Sequence, residues 1–210
     1  MARNKAVFDA DIIINMVKTK SIDYLTTIFE KMYISDYVWE HEINEGTQEY
    51  KIIKKMINKG FIVILEYYKL TLKQQDYYRN AYNILKNKAT LEYVNEGERS
   101  TAAFAKAYSV TYYMSDDNKA SPFIRSLADV EVINYCDLLY IAYSIKPQDV
   151  VQINTFYSTY LTLFEDGCLP NLIRDEKGNA LKFSRVIAKG YDKFNRSDKL
   201  SALLNLFLNR

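Results

Sequence analysis

The acids of this chain carry most of its chemical possibilities. Asp9, with Asp11 beside it, follows the short apolar run Ala6-Val7-Phe8. Glu40 and Glu42 lie within Asp36-Tyr37-Val38-Trp39-Glu40-His41-Glu42-Ile43. Glu98 stands at the head of a small-residue stretch, and Asp116-Asp117 end the run Val110-Thr111-Tyr112-Tyr113-Met114-Ser115. Each acid is flanked by an apolar strand or by a helix with one apolar face, so rigid structure would position it. Carboxylates crowded at one edge repel one another, and a divalent cation with oxygen ligands relieves the repulsion. Such a cation lowers the pKa of water and stabilises charge on a phosphoryl group. Metal-assisted phosphodiester hydrolysis then needs no His and no Cys. Taken singly, each acid also reads as a solvated group or a helix cap, Asp11 and Glu98 especially.

Composition excludes much else. His41 is the only histidine, and no Gly-x-Ser-x-Gly elbow is present, so a Ser-His-Asp triad has little to build on. Two-histidine zinc sites are impossible. Cys136 and Cys168 form no Cys-x-x-Cys pair and point to a thiol-reduced compartment without a disulfide framework. Metal chemistry here falls to carboxylates, which favours Mg²⁺ or Mn²⁺. His41 reads as a surface helix residue. Ser115 could orient an acid, contact phosphate or cap the next helix. Lys119 and Arg125 follow the acid pair and could neutralise phosphates, or be surface charge.

The elements that must hold these residues follow from periodicity. Residues 5–9, 32–35, 61–65, 110–115 and 130–133 read as short strands. Between them, helical patterns run from Ile12, from Ser21, from Asp36, over 47–58 to the stop at Gly60, over 71–93, over 98–108 after a break at Asn95-Glu96-Gly97, over 119–128 and from Asp137. This alternation predicts an α/β fold with a central parallel sheet and helices on both faces. Ligands in such sheets sit beyond the carboxyl ends of strands, where Asp9 and Asp116-Asp117 fall. After Pro147 the texture changes: a long helix over 148–164, breaks at Gly167 and Pro170, a polar turn at 175–179, then Lys- and Leu-rich helices. The chain divides into an α/β core, 1–145, and a helical extension, 146–210.

With 210 residues, 49% of them hydrophobic, the chain has ample surface to bury. No run approaches a membrane span, and the N-terminus lacks a signal peptide, which argues for the cytoplasm. The net charge is +2, but residues 177–210 hold eight basic and two acidic side chains, a local net of +6. A basic end on an acidic body could lie along a polyanion, or be a solvated helical end. The Tyr67-Tyr68, Tyr77-Tyr78 and Tyr112-Tyr113 pairs could stack bases; packing on apolar faces is the plainer reading.

Val7-Phe8-Asp9-Ala10-Asp11-Ile12-Ile13-Ile14 resembles the opening of the PIN domain, where strand one ends in an Asp before a hydrophobic helix. Tyr37-Val38-Trp39-Glu40-His41-Glu42-Ile43 is similar to its second acidic motif, Gly97-Glu98-Arg99-Ser100-Thr101-Ala102 to its third, and Ser115-Asp116-Asp117-Asn118-Lys119-Ala120 to its fourth. The resemblance covers about residues 5–145 and implies a three-layer α/β/α PIN-like fold. It implies a Mg²⁺- or Mn²⁺-dependent endoribonuclease acting on single-stranded RNA. By position, Asp9, Glu42, Glu98 and Asp117 would be the catalytic, metal-holding acids, with Asp116 beside them as a further metal ligand; Ser115, Lys119 and Arg125 stay candidates for the substrate on their own chemistry alone. Glu40 remains an alternative to Glu42. Many bacterial members are toxins, so an antitoxin, another protein or a second copy of the chain stands among the partners. Phe8-Asp9-Ala10-Asp11 also resembles the nucleophile motif of haloacid-dehalogenase phosphatases. That reading lacks the usual Gly-Thr after the second Asp and leaves Glu42 and Glu98 unexplained. A non-catalytic PIN-like interaction module is the third alternative.

Overall fold

Strand one owes its burial to Ala6, Val7 and Phe8, none of which is exposed. In a computed structural model, which describes residues 5–29, 31–87, 92–164 and 173–208, it spans Lys5–Phe8 (β1) and lies at the centre of a five-stranded parallel sheet. The other strands are Lys31–Ser35 (β2), Ile62–Leu65 (β3), Tyr112–Met114 (β4) and Glu131–Ile133 (β5), in the order β3-β2-β1-β4-β5. The chain lays down β1, β2 and β3 to one side, then crosses to β4 and β5 on the other. The order thus reverses between β1 and β4, where open α/β sheets leave a crevice.

The register sorts the side chains by face. Val7 aligns with Tyr33 on one side and Tyr113 on the other, and Tyr113 with Val132. This row packs under Leu72–Leu85 (α4), Glu96–Ala107 (α5) and Ser121–Ala128 (α6), with Leu85, Phe104 and Ile124 as buried partners. The alternate row, Phe8, Ile34, Met114 and Ile133, faces the opposite layer. That layer holds Ala10–Lys18 (α1), Ile22–Leu25 (α2), Gln48–Asn58 (α3) and Tyr135–Ile145 (α7). The expected three-layer α/β/α arrangement is therefore present.

Residues beyond 145 join the same layer. Val150–Leu161 (α8), Phe183–Asn195 (α9) and Asp198–Leu208 (α10) place Phe156, Tyr160, Val186, Phe194 and Leu203 in one apolar cluster with Phe8, Ile12 and Leu138. At Gly190 of α9 even a methyl group would overlap the Tyr140 ring of α7, so the two helices approach as closely as backbone permits there. No helix among the described residues is long and apolar enough to cross a membrane.

Several expectations need correction. The helical pattern over 71–93 gives a helix that stops at Leu85. The presumed break at Asn95-Glu96-Gly97 is the start of α5. Asn95 accepts from the Glu98 amide (2.8 Å) while the Glu98 carboxylate accepts from the Asn95 amide (2.7 Å), a reciprocal cap. The segment from Asp36 does not become an ordinary helix. After Asp36 and Tyr37 it widens into a π-helical turn over Val38–Glu42, closed by the Ile43 amide donating to the Val38 carbonyl at 3.1 Å. The breaks expected at Gly167 and Pro170, and Cys168, lie outside the described residues.

Candidate active site

The carboxyl ends of β1 and β4 bring their acids together by backbone pairing. The Asp9 amide donates to the Met114 carbonyl at 2.9 Å, extending the β1–β4 ladder one residue past the strand. Asp9 then caps α1, accepting from the Ala10 amide at 3.0 Å. The buried Ser115 hydroxyl donates to Asp9 at 3.3 Å and accepts from the Asp117 amide at 3.0 Å. Ser115 thus orients two acids from beneath, which leaves it no exposed face for phosphate. Asp117 accepts from the Lys119 and Ala120 amides at 2.6 and 3.0 Å.

Glu98 reaches the same place from α5. Its side chain is 1% exposed; one carboxylate oxygen takes the cap bond to Asn95, and the other, Oε1, is buried without any hydrogen-bond partner. An orphaned oxygen of this kind is costly, and it marks a position where a cation would be stabilised. Glu42 completes the ring from the π-helical turn. Its carboxylate lies so close to Gly97 that any side chain there would overlap both of its oxygens. Glu40 points outward and is exposed, so the two acids of this segment are separated in space.

The electrostatics show how closely these groups sit. Burial, then the charge of Glu42, push Asp9 up to about 7. The buried Tyr113 hydroxyl faces Asp9 without a well-formed hydrogen bond and eases that shift slightly. Glu98 rises to about 8, through burial and the charges of Asp9, Asp117 and Glu42, against the lowering effect of the Asn95 amide. Burial also raises Glu42, which His41 partly offsets. Asp11 is raised well above its ordinary value by burial and by Asp9 and Asp116. Asp9, Glu42 and Asp117 therefore all stand close enough to Glu98 to raise it.

Asp116 sits behind them. Its carboxylate accepts from the Asn15 side chain (2.9 Å), the Tyr160 hydroxyl (2.8 Å) and the Tyr135 amide (2.8 Å). The Asp116 amide in turn donates to Asp11 at 2.8 Å. With its oxygens so engaged, Asp116 braces the β4 end against α1, α7 and α8. Lys119 is exposed beside Asp117. Arg125 is not brought to the crevice: it lies one turn down α6 and faces Glu131 at the start of β5, at 4.0 Å. Asp11, Asn15, Tyr113 and Tyr160 also belong to the site or its support. Asp11 was visible beside Asp9, whereas nothing in the sequence links Tyr160 to Asp116.

Among the described residues no three His, Cys, Asp or Glu side chains stand in a finished ligand arrangement. The donor set is oxygen only, and with the orphaned Glu98 Oε1 it fits a hard divalent cation and no softer metal. Comparison with known proteins gives the same family. No curated protein and no solved structure matches the chain significantly. A family model described as a PIN domain matches residues 5–156, from β1 into α8 and across all of these acids. The chain belongs to the PIN-domain family.

Proposed function

We propose that the protein is a Mg²⁺- or Mn²⁺-dependent endonuclease that hydrolyses phosphodiester bonds in single-stranded RNA in the cytoplasm. The observation that carries this reading is the buried, partnerless Glu98 Oε1 facing Asp9, Glu42 and Asp117. Asp9, Glu98 and Asp117 would hold the ion. A bound Mg²⁺ or Mn²⁺ supplies Lewis-acid polarisation of the phosphodiester and acidifies water. Glu42, the least buried of the raised acids, orients the attacking water and takes its proton. Ser115 keeps Asp9 and Asp117 in register, and Asp116 keeps the β4 end in place. Lys119, exposed beside Asp117, would meet substrate phosphate. Glu42 and Asp117 are half-buried while Asp9 and Glu98 lie beneath them, so a single strand would meet the site at Glu42 and Asp117.

The test is cleavage of a labelled single-stranded RNA in Mn²⁺, Mg²⁺ and EDTA, beside Asp9→Asn. Cleavage should need metal and vanish in the mutant. Mn²⁺ should raise the melting temperature of the wild type and leave that of Asp9→Asn nearly unmoved. Full activity in Asp9→Asn would sink the assignment.

A further inference from the structure

The π-helical turn does more than deliver Glu42. Its wider winding keeps Val38 buried and Glu42 turned to the crevice, while Glu40 and His41 face outward and Trp39 stays half-buried. Those outward residues line a cavity of about 510 Å³ together with Asn44, Glu45 and Tyr50. Trp39 stacks on Tyr50 with ring centroids 4.7 Å apart and planes 14° from parallel. His41 lies against Tyr37 at 4.6 Å, with its own ring exposed. The Tyr50 hydroxyl donates to Glu45 at 3.1 Å and so holds that carboxylate in place. The Asn44 side chain accepts from the Gly46 amide at 3.0 Å, which fixes the loop between the turn and α3.

We infer that this cavity is a nucleobase subsite beside the scissile position, selective for bases that present amino and imino donors, guanine first. The inference rests on the nuclease reading and names the base that the same site accepts. Trp39 and Tyr50 stack on each other, and Lys54 lies over the Tyr50 ring, so the exposed His41 ring and the half-buried Trp39 are what the wall offers a base for stacking. Two acids at the rim, Glu40 and Glu45, repel phosphate, so the cavity takes the base and leaves the backbone to the crevice. A carboxylate accepts only. It pairs with both donors on the Watson–Crick edge of guanine and with the exocyclic amine of cytosine or adenine. Uracil offers a single imino donor between two carbonyls, which the carboxylates repel. The volume suits one base and leaves room for water. Glu42 belongs to the same turn as His41 and Trp39, so the cavity and the carboxylates share one element.

Trp39 is the only tryptophan of the chain, so its emission reports the cavity directly. Asp9→Asn protein in EDTA, which neither binds the ion nor cleaves, would be titrated with the monophosphates of guanosine, cytidine, adenosine and uridine. Saturable quenching should be tightest for guanosine monophosphate, by at least about fivefold over uridine monophosphate. Glu45→Gln, which exchanges one acceptor for a donor, should remove that margin while stacking persists. His41→Ala should weaken all four nucleotides alike. Absence of quenching, or equal quenching by all four, overturns the inference. Metal-dependent RNA cleavage by the wild type is read separately. Cleavage without quenching would remove the subsite and leave the nuclease, whereas base-selective quenching without cleavage would do the reverse.

Discussion

At the scale of the residue, burial and neighbouring like charge hold the protons of Glu98 and Asp9. They titrate near 8 and near 7, above ordinary values of 4.5 and 3.8. Between those limits the folded chain keeps protons that the unfolded chain has released. The metal-free protein should therefore lose stability as pH rises from about 4 to about 8. Melting in EDTA across that range should show the decline, and Glu98→Gln should flatten it and melt higher at the alkaline end. A flat wild-type profile would contradict the burial of these acids. Gly97→Ala makes a different demand. Its methyl group must displace the Glu42 carboxylate, so cleavage should fall by tenfold or more, about 1.4 kcal/mol in barrier. Helix α5 should survive, as circular dichroism would report. Asp9, Glu98 and Asp117 were legible as acids because each follows an apolar run or opens a helix. The choice between Glu40 and Glu42 was not, since a π-helical turn changes which way consecutive side chains face without altering composition.

At the scale of the element, α5 is the piece on which the site depends most. Asn-Glu-Gly reads locally as a turn, which hides its role as a helix start. Only the distance from residue 95 to residue 98 hints at the reciprocal cap. Asn95→Ala should cost about 1 kcal/mol of stability, measured by denaturant melts, by leaving the Glu98 amide unpaired. The strands were readable from apolar runs, and the parallel sheet from their alternation with helices. Arg125 shows the limit of that reading. Helix α6 runs back from the carboxyl ends of the strands, so one turn suffices to carry a side chain away from the crevice. Nothing in spacing along the chain reports that direction. Exposed Tyr68 and Tyr77 flank no acid of the site, while Tyr113 lies buried beneath it. Pairs of tyrosines in sequence therefore divide between surface and core.

At the scale of the whole molecule, the helices after residue 145 and the carboxylate crevice are bound together through Tyr160. Its hydroxyl reaches Asp116 across 44 residues of sequence, a link no local pattern could announce. Tyr160→Phe should lower stability by about 1.5 kcal/mol, the value of a hydrogen bond to a charged group, with a smaller loss of cleavage. A chain ending at Ile145 should fail to melt cooperatively, because the apolar cluster that holds Phe8, Ile12 and Leu138 loses Phe156, Tyr160 and Leu203. Independent folding of that fragment would show instead that residues 146–210 are an accessory. Lys193 of α9 pairs with Asp137 and donates to the Val132 carbonyl at 3.1 Å, on the flank of β5. Whether that lysine arrives depends on Gly190, one turn earlier. The notch that Gly190 leaves for the Tyr140 ring acts as an index mark. The Tyr140 ring seats where α9 presents no side chain, and in that setting Lys193 meets its carboxylate. A single absent methyl group thus clocks the last third of the chain against the rest.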